Sequence, residues 1–249
     1  MTSSKELQNK VAFVQGGSRG IGAAIVKRLA RDGAAVAFTY VSSDAQAELL
    51  VHDIVTAGGK AIAIKADSTD PEAIRRAVRD TVQQLGRLDI VVNNAGALIW
   101  EPIENLTLEH WERTINTNVR SAFIASQEAA MHMQDGGRII HIGSTNAERV
   151  PFAGGSIYSM SKAALVGLTK GLARDLGARA ITVNNIQPGP VDTDMNPADI
   201  DAAAPVKAIG ALGRYGTPDE IAAFVAFIAG PQAGYITGAS LMIDGGFSI

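Results

Sequence analysis

Val11-Ala-Phe-Val-Gln-Gly-Gly-Ser-Arg-Gly-Ile-Gly22 decides the fold. A short apolar run is followed by four glycines within seven positions, then by Ala-Ala-Ile-Val-Lys-Arg-Leu. The order reads as strand, tight turn, helix. Ile21, Ile25 and Leu29 recur at i, i+4 and i+8, which is one helix face. A helix that begins straight after a glycine turn presents unpaired backbone N–H groups and the positive end of its dipole. Glycine lets an anion approach that backbone, so Gly16, Ser18, Arg19, Gly20, Ile21 and Gly22 form a candidate phosphate cradle. The spacing is Gly16-x-x-x-Gly20-x-Gly22 rather than G-x-G-x-x-G.

The alternation continues along the chain. Strands are predicted at 35–40, 61–66, 88–92, 138–142, 181–186 and 240–243. Between them, Ser42-Ser43-Asp44 is expected to cap a helix that ends near Gly58-Gly59. Asp70-Pro71 opens another, which Gly86 ends. Further helices are expected over 107–133, 157–177 and 218–229. The short apolar strands suit burial on both faces, hence an α/β, doubly wound parallel sheet of about seven strands. The stretch 192–213, rich in Asp, Ala and Pro, follows a strand end and is expected to be a mobile lid.

Composition narrows the function. A chain of 249 residues with 47% hydrophobic content is read as a single domain with a large core. The net charge of −3 comes with no clustered Lys/Arg, so no nucleic-acid partner is expected. Without cysteine there is no disulfide framework, and four scattered histidines suggest no metal site. No apolar h-region opens the chain and no apolar run reaches about 18 residues. The expectation is a cytoplasmic protein with no membrane partner.

In such a sheet, ligands bind beyond the carboxyl ends of the strands. Those ends carry, in turn, the glycine turn; Tyr40, Ser42 and Ser43; Asp67 and Ser68; Asn93-Asn94-Ala95-Gly96; Ser144, Thr145 and Asn146; and Pro188-Gly189-Pro190-Val191-Asp192-Thr193. Six small or polar clusters on one edge favour a long ligand bearing phosphate. An NAD site wants a carboxylate about 20 residues beyond the glycines. Tyr40 stands there, no acid precedes Asp44, and Arg19 can meet a 2′-phosphate. The cofactor is therefore read as NADP(H).

Tyr158 and Lys162 are i and i+4 on one predicted helix and share a face. A tyrosine near pKa 10 exchanges protons poorly at neutrality, and an ammonium one turn away would stabilise its phenolate. Ser144 can hydrogen-bond a substrate carbonyl oxygen. Asn118 lies mid-helix, where asparagine is a poor choice, so a water-holding or helix-kinking role is expected. Leu98, Trp100, Asn146, Val150, Pro190 and Met195 are the candidate substrate-pocket residues. The helix around 160–173 is apolar or small nearly all round, which suggests a covering partner subunit.

Taken together, Gly16-x-x-x-Gly20-Ile-Gly22, Asn93-Asn94-Ala95-Gly96, Ile142-Gly143-Ser144, Tyr158-x-x-x-Lys162 and Pro188-Gly189 resemble the short-chain dehydrogenase/reductase family. The likeness runs from Lys10 to about Gly246 and implies a Rossmann-type fold and a homotetramer. It implies Tyr158 as general acid/base, Lys162 as its activator and ribose ligand, Ser144 orienting the carbonyl, and Asn118 anchoring a relay water. Implied cofactor ligands include Gly16, Ser18, Arg19, Ile21, Asp67, Ser68, Asn94, Gly96 and Val191. The subgroup resembled is that of β-ketoacyl reductases and related carbonyl reductases, through Tyr235-Ile-Thr-Gly-Ala and Ile243-Asp-Gly-Gly. Gln15 stands where the family usually has a threonine that braces the turn. The Ser144–Tyr158 loop is one residue longer than in acyl carrier protein reductases, and no basic patch for a carrier protein is readable. Gln187-Pro-Gly-Pro-Val-Asp-Thr-Asp-Met-Asn-Pro-Ala also resembles a cyclic-di-GMP-binding branch, the competing reading.

Overall fold

The computed structural model describes residues 5–249. Residues 1–4, the head of the stretch read as lacking a leader, lie outside them. β1 (Val11–Gln15) is buried along its whole length. On one side of it lie β2 (Ala35–Tyr40) and β3 (Lys60–Lys65). On the other lie β4 (Ile90–Asn93), β5 (Arg138–Ile142), β6 (Thr182–Pro188) and β7 (Ser240–Ile243). The order is β3-β2-β1-β4-β5-β6-β7, and every neighbouring pair is parallel. Winding reverses between β1 and β4, which opens a crevice at the strands' carboxyl ends.

Helices cover both faces. α1 (Gly20–Arg31), α2 (Asp44–Thr56) and α8 (Pro218–Ala229) bury Ile25, Leu29, Leu50, Ile54 and Val225 against Val14, Phe38, Val92 and Ile140. α3 (Pro71–Leu85), α5 (Ser121–His132) and α6 (Ser156–Leu176) cover the opposite face. There Ile74, Val78, Ile124 and Leu176 meet Phe13, Val91, Ile139 and Val183. Alternate residues of the central strands serve opposite cores, so apolar residues follow one another without the alternation of a half-exposed sheet.

Local chemistry explains most boundaries. The Asp70 carboxylate accepts from the backbone N–H groups of Glu72 (2.9 Å) and Ala73 (3.2 Å), and Pro71 starts α3. Gly86 ends it at φ 86°. The serine cap expected on α2 is not made: Ser43 forms no side-chain cap, and Lys65 draws Asp44 away at 3.0 Å. The helix expected over 107–133 is three pieces. α4 (Leu108–Ile115) gives way to a π-helical turn, Asn116–Arg120, before α5. The segment 192–213 is not a bare loop either, because α7 (Ala203–Ile209) lies within it. Pro205 falls in its first turn, where a missing N–H costs nothing. On α6, Met160, Ala163, Ala164, Gly167 and Gly171 are exposed on this chain. No helix among the described residues is long and apolar enough to cross a membrane.

Candidate active site

The glycine turn is braced from two neighbouring strands. Gly16 N–H donates to Thr39 Oγ1 (2.9 Å) and Gly17 N–H to the Thr39 carbonyl (2.9 Å). Asn94 Nδ2 donates to the Gly16 carbonyl (2.7 Å). Thr39 and Asn94 thus brace the turn without help from the side chain at 15. The Gln15 side chain is buried and, among the described residues, hydrogen-bonds nothing. Gly16 sits at φ +70°, where a side chain would be strained. Gly22 is packed so closely that an added Cβ would come 2.1 Å from the Gly16 oxygen and 2.6 Å from Asn94 Nδ2.

The N-terminus of α1 is left open. Its N-cap, Arg19, makes no capping bond, and its first turn holds no acid. α3, α4 and α8 are capped by Asp70, Thr107 and Thr217, whereas α2 and α6, like α1, carry no side-chain cap. An uncapped helix start beside glycines suits a phosphate. Arg19 is half-exposed, its guanidinium 4.0 Å from the Asp194 carboxylate.

One cavity of about 1110 Å³ runs along this edge. It gathers Gly16, Ser18, Arg19, Gly20, Ile21 and Gly22 with Tyr40, Ser42, Ser43, Asp67 and Ser68. Asn94, Ala95, Gly96, Pro188, Gly189, Val191 and Thr193 line it too. So do Ser144, Tyr158 and Lys162, and, of the pocket candidates, Leu98, Trp100, Asn146, Pro190 and Met195. Val150 does not: it is 46% exposed, because Arg149 beside it turns inward to Phe247. Pro151 and Phe152 line the cavity instead. Thr39, Phe152, Val206 and Phe247 also line the cavity, and no local sequence pattern marks them.

Asn118 does not line the cavity; it supports it from behind. The π turn aims its buried side chain at the segment after β4. Oδ1 accepts from Ala97 N–H (2.7 Å), and Nδ2 donates to the Ala97 carbonyl (3.0 Å) and Ser161 Oγ (2.9 Å). This amide ties the end of β4 to α6, so the helix distortion expected from Asn118 is present.

On α6, Lys162 is buried, and its ammonium donates to the Ile142 carbonyl (2.8 Å), 5.7 Å from the Tyr158 ring centroid. Burial pushes Lys162 down to about 8. Burial also pushes the Tyr158 phenol above its usual value, with a hydrogen bond to Ser144 pulling it back. The acidified phenol expected from the i, i+4 lysine is therefore not seen here. The ammonium is engaged by a carbonyl, and desolvation of the phenolate wins. Trp100 walls the site. Its ring centroid lies 6.3 Å from that of Tyr158, and Nε1 donates to the Ala153 carbonyl (2.7 Å). A Cβ on Gly155 would reach within 2.6 Å of the indole.

Beneath the site runs a polar row that the sequence did not announce. Gln15, Asn93, His141, Asn185 and Ser240 are successive register partners across five strands. Asn93 Nδ2 lies 2.9 Å from Ser126 Oγ and 3.1 Å from His141 Nδ1. His141 is fully buried, and desolvation, with the Lys162 charge, lowers it to about 4. Among the described residues, no three His, Asp or Glu side chains gather as a metal site would require.

The family model described as enoyl-(acyl carrier protein) reductase matches residues 16–248. A cyclic-di-GMP-binding biofilm dispersal mediator protein of Escherichia coli (strain K12) is 45% identical over 238 residues, covering 96% of this chain and 97% of that protein. A solved short-chain dehydrogenase/reductase from Serratia marcescens is 66% identical, with TM-score 0.97 over 98% of this chain and 100% of that one. A short-chain dehydrogenase from Burkholderia cenocepacia, solved in complex with NADP, is 53% identical, with TM-score 0.97 over 98% and 100%. Likeness of this depth along nearly the whole length makes the chain a member of the short-chain dehydrogenase/reductase family.

Proposed function

We propose that this protein reduces the carbonyl of a small ketone or aldehyde with NADPH. The observation that carries the reading is that an uncapped glycine-rich helix start and the Tyr158–Lys162–Ser144 group share one cavity. Relatives solved with NADP or NADPH support the cofactor. So does Arg19 at the glycine turn, with no acid in the first turn of α1 to repel a phosphate. NADPH, when bound, supplies a hydride to the carbonyl carbon. The chain does the rest. The turn from Gly16 to Gly22 would hold the pyrophosphate, and Arg19, Ser42 and Ser43 the 2′-phosphate. Ser144 holds the carbonyl oxygen. As that oxygen gains an electron pair, the Tyr158 hydroxyl gives it a proton. Lys162, still mostly protonated at neutral pH, balances the phenolate left behind. Asn118 keeps the backbone around Ala97 in place.

Replacing Tyr158 with Phe removes only the hydroxyl. The expected result is a fall in kcat of about 10²–10⁴, the usual worth of general acid catalysis, with NADPH binding retained. A variant at full rate would remove Tyr158 from the mechanism.

A second reading, binding of a cyclic dinucleotide, is favoured by the name of the Escherichia coli relative. Binding alone needs no acid/base group, so Tyr158 and Lys162 speak for chemistry. Calorimetry with NADPH and with cyclic-di-GMP separates the two.

A further inference from the structure

We infer that the segment 244–249 selects among ketones, with Phe247 as a specificity-determining residue and Arg149 as the positioning residue that holds it. This rests on reading the cavity as a site of carbonyl reduction.

The segment follows β7 and has no helix or strand of its own, yet it is tightly tied. Asp244 accepts through both carboxylate oxygens, from Gly246 N–H (3.0 Å) and Ser248 N–H (2.9 Å). Phe247 N–H donates to the Asp244 carbonyl (3.1 Å). Leu212 N–H donates to the Gly245 carbonyl (3.0 Å), which links the segment to the end of 192–213. Arg149 Nη1 donates to the Phe247 carbonyl (2.8 Å) and to the Ile249 carbonyl. Arg149 N–H in turn donates to the Thr145 carbonyl (3.0 Å), one residue past Ser144. The guanidinium thus ties the segment to the catalytic loop.

What these bonds hold in place is a phenyl ring. Phe247 is only 4% exposed, and it lines the cavity. Leu98, Phe152, Met195 and Val206 line it as well. All five side chains are apolar. Arg113 and Asn146 line the same cavity, but against these five side chains an aryl or branched alkyl group would be desolvated favourably. The ligand class is therefore a ketone with one bulky apolar substituent, and the ring at 247 limits its size.

The test is NADPH oxidation by the full-length protein with butanone, acetophenone and 2-acetonaphthone. For Phe247→Ala, kcat/KM for acetonaphthone relative to acetophenone should rise roughly tenfold, the range for a change in an apolar pocket, with KM for NADPH unchanged. Phe247→Leu should move the ratio the same way by less, and it covers the case of an alanine variant that fails to fold. Arg149→Ala should raise KM for the aryl ketones while the pH profile of kcat stays in place, and Arg149→Lys should recover part of the loss. A ratio unmoved in the folded variants, or all three ketones slowed equally, overturns the inference while leaving carbonyl reduction standing. A wild-type protein that binds NADPH but reduces none of the three overturns both.

Discussion

The two sides of the cleft are built from different material. The centre of the nucleotide side is backbone, a glycine turn braced by Thr39 and Asn94 and a helix start left uncapped, with Arg19 and the serines at its rim. The side proposed to take the substrate is lined by side chains brought from distant places: Leu98, Trp100, Phe152, Met195, Val206 and Phe247. Backbone geometry tolerates almost no substitution, and apolar side chains tolerate many. The first side is thus suited to one invariant ligand and the second to adaptation.

The comparison breaks most severely at Gly22. Gly22→Ala drives a methyl into the Gly16 carbonyl, which is backbone and cannot swing away. A loss of about 3 kcal/mol or more is expected, the upper range for overpacking, together with loss of NADPH retention. Unchanged Tm and NADPH affinity would mean that the turn yields and that the two sides are alike.

His141 comes next, in the floor shared by both sides. Its ordinary value of 6.5 falls to about 4 in the folded protein. Between those values the unfolded chain binds a proton that the folded chain refuses. Stability should therefore fall as pH drops from 6.5 towards 4 and level off below, by about 3 kcal/mol from this group. His141→Asn keeps an acceptor for Asn93 and should flatten the loss. Chemical denaturation at several pH values reads it out, and parallel curves for both proteins would contradict the assignment.

Arg19 carries the smallest effect. Arg19→Ser should weaken NADPH by roughly tenfold to a hundredfold, the worth of a charge-assisted contact, and NADH hardly at all. Equal weakening of both would place the 2′-phosphate elsewhere.

The legibility of the chain follows the same division. The strands, the glycine turn and the cap at Asp70 declare themselves locally, because each is set by the conformational needs of neighbouring residues. Tyr158 and Lys162 were readable because i, i+4 spacing on a helix is itself geometry. Their electrostatics were not, since the Ile142 carbonyl that engages Lys162 is 20 residues away. Val150 stands outside the cavity while its neighbour Arg149 reaches Phe247, 98 residues on, a contact that no local pattern announces. The polar row from Gln15 to Ser240 escapes for the same reason: each strand contributes one residue to it, and only the register lines them up. α7 hid within a composition typical of loops.

The π turn at Asn116–Arg120 has a consequence for how this chain can vary in length. One residue removed there would restore an ordinary helix and rotate everything before it by about 100° relative to α5. The amide now held at Ala97 would swing off its partners, and Leu108–Ile115 would turn with it. Insertions and deletions among natural variants should therefore spare these five residues and collect in the loops at the opposite end of the strands.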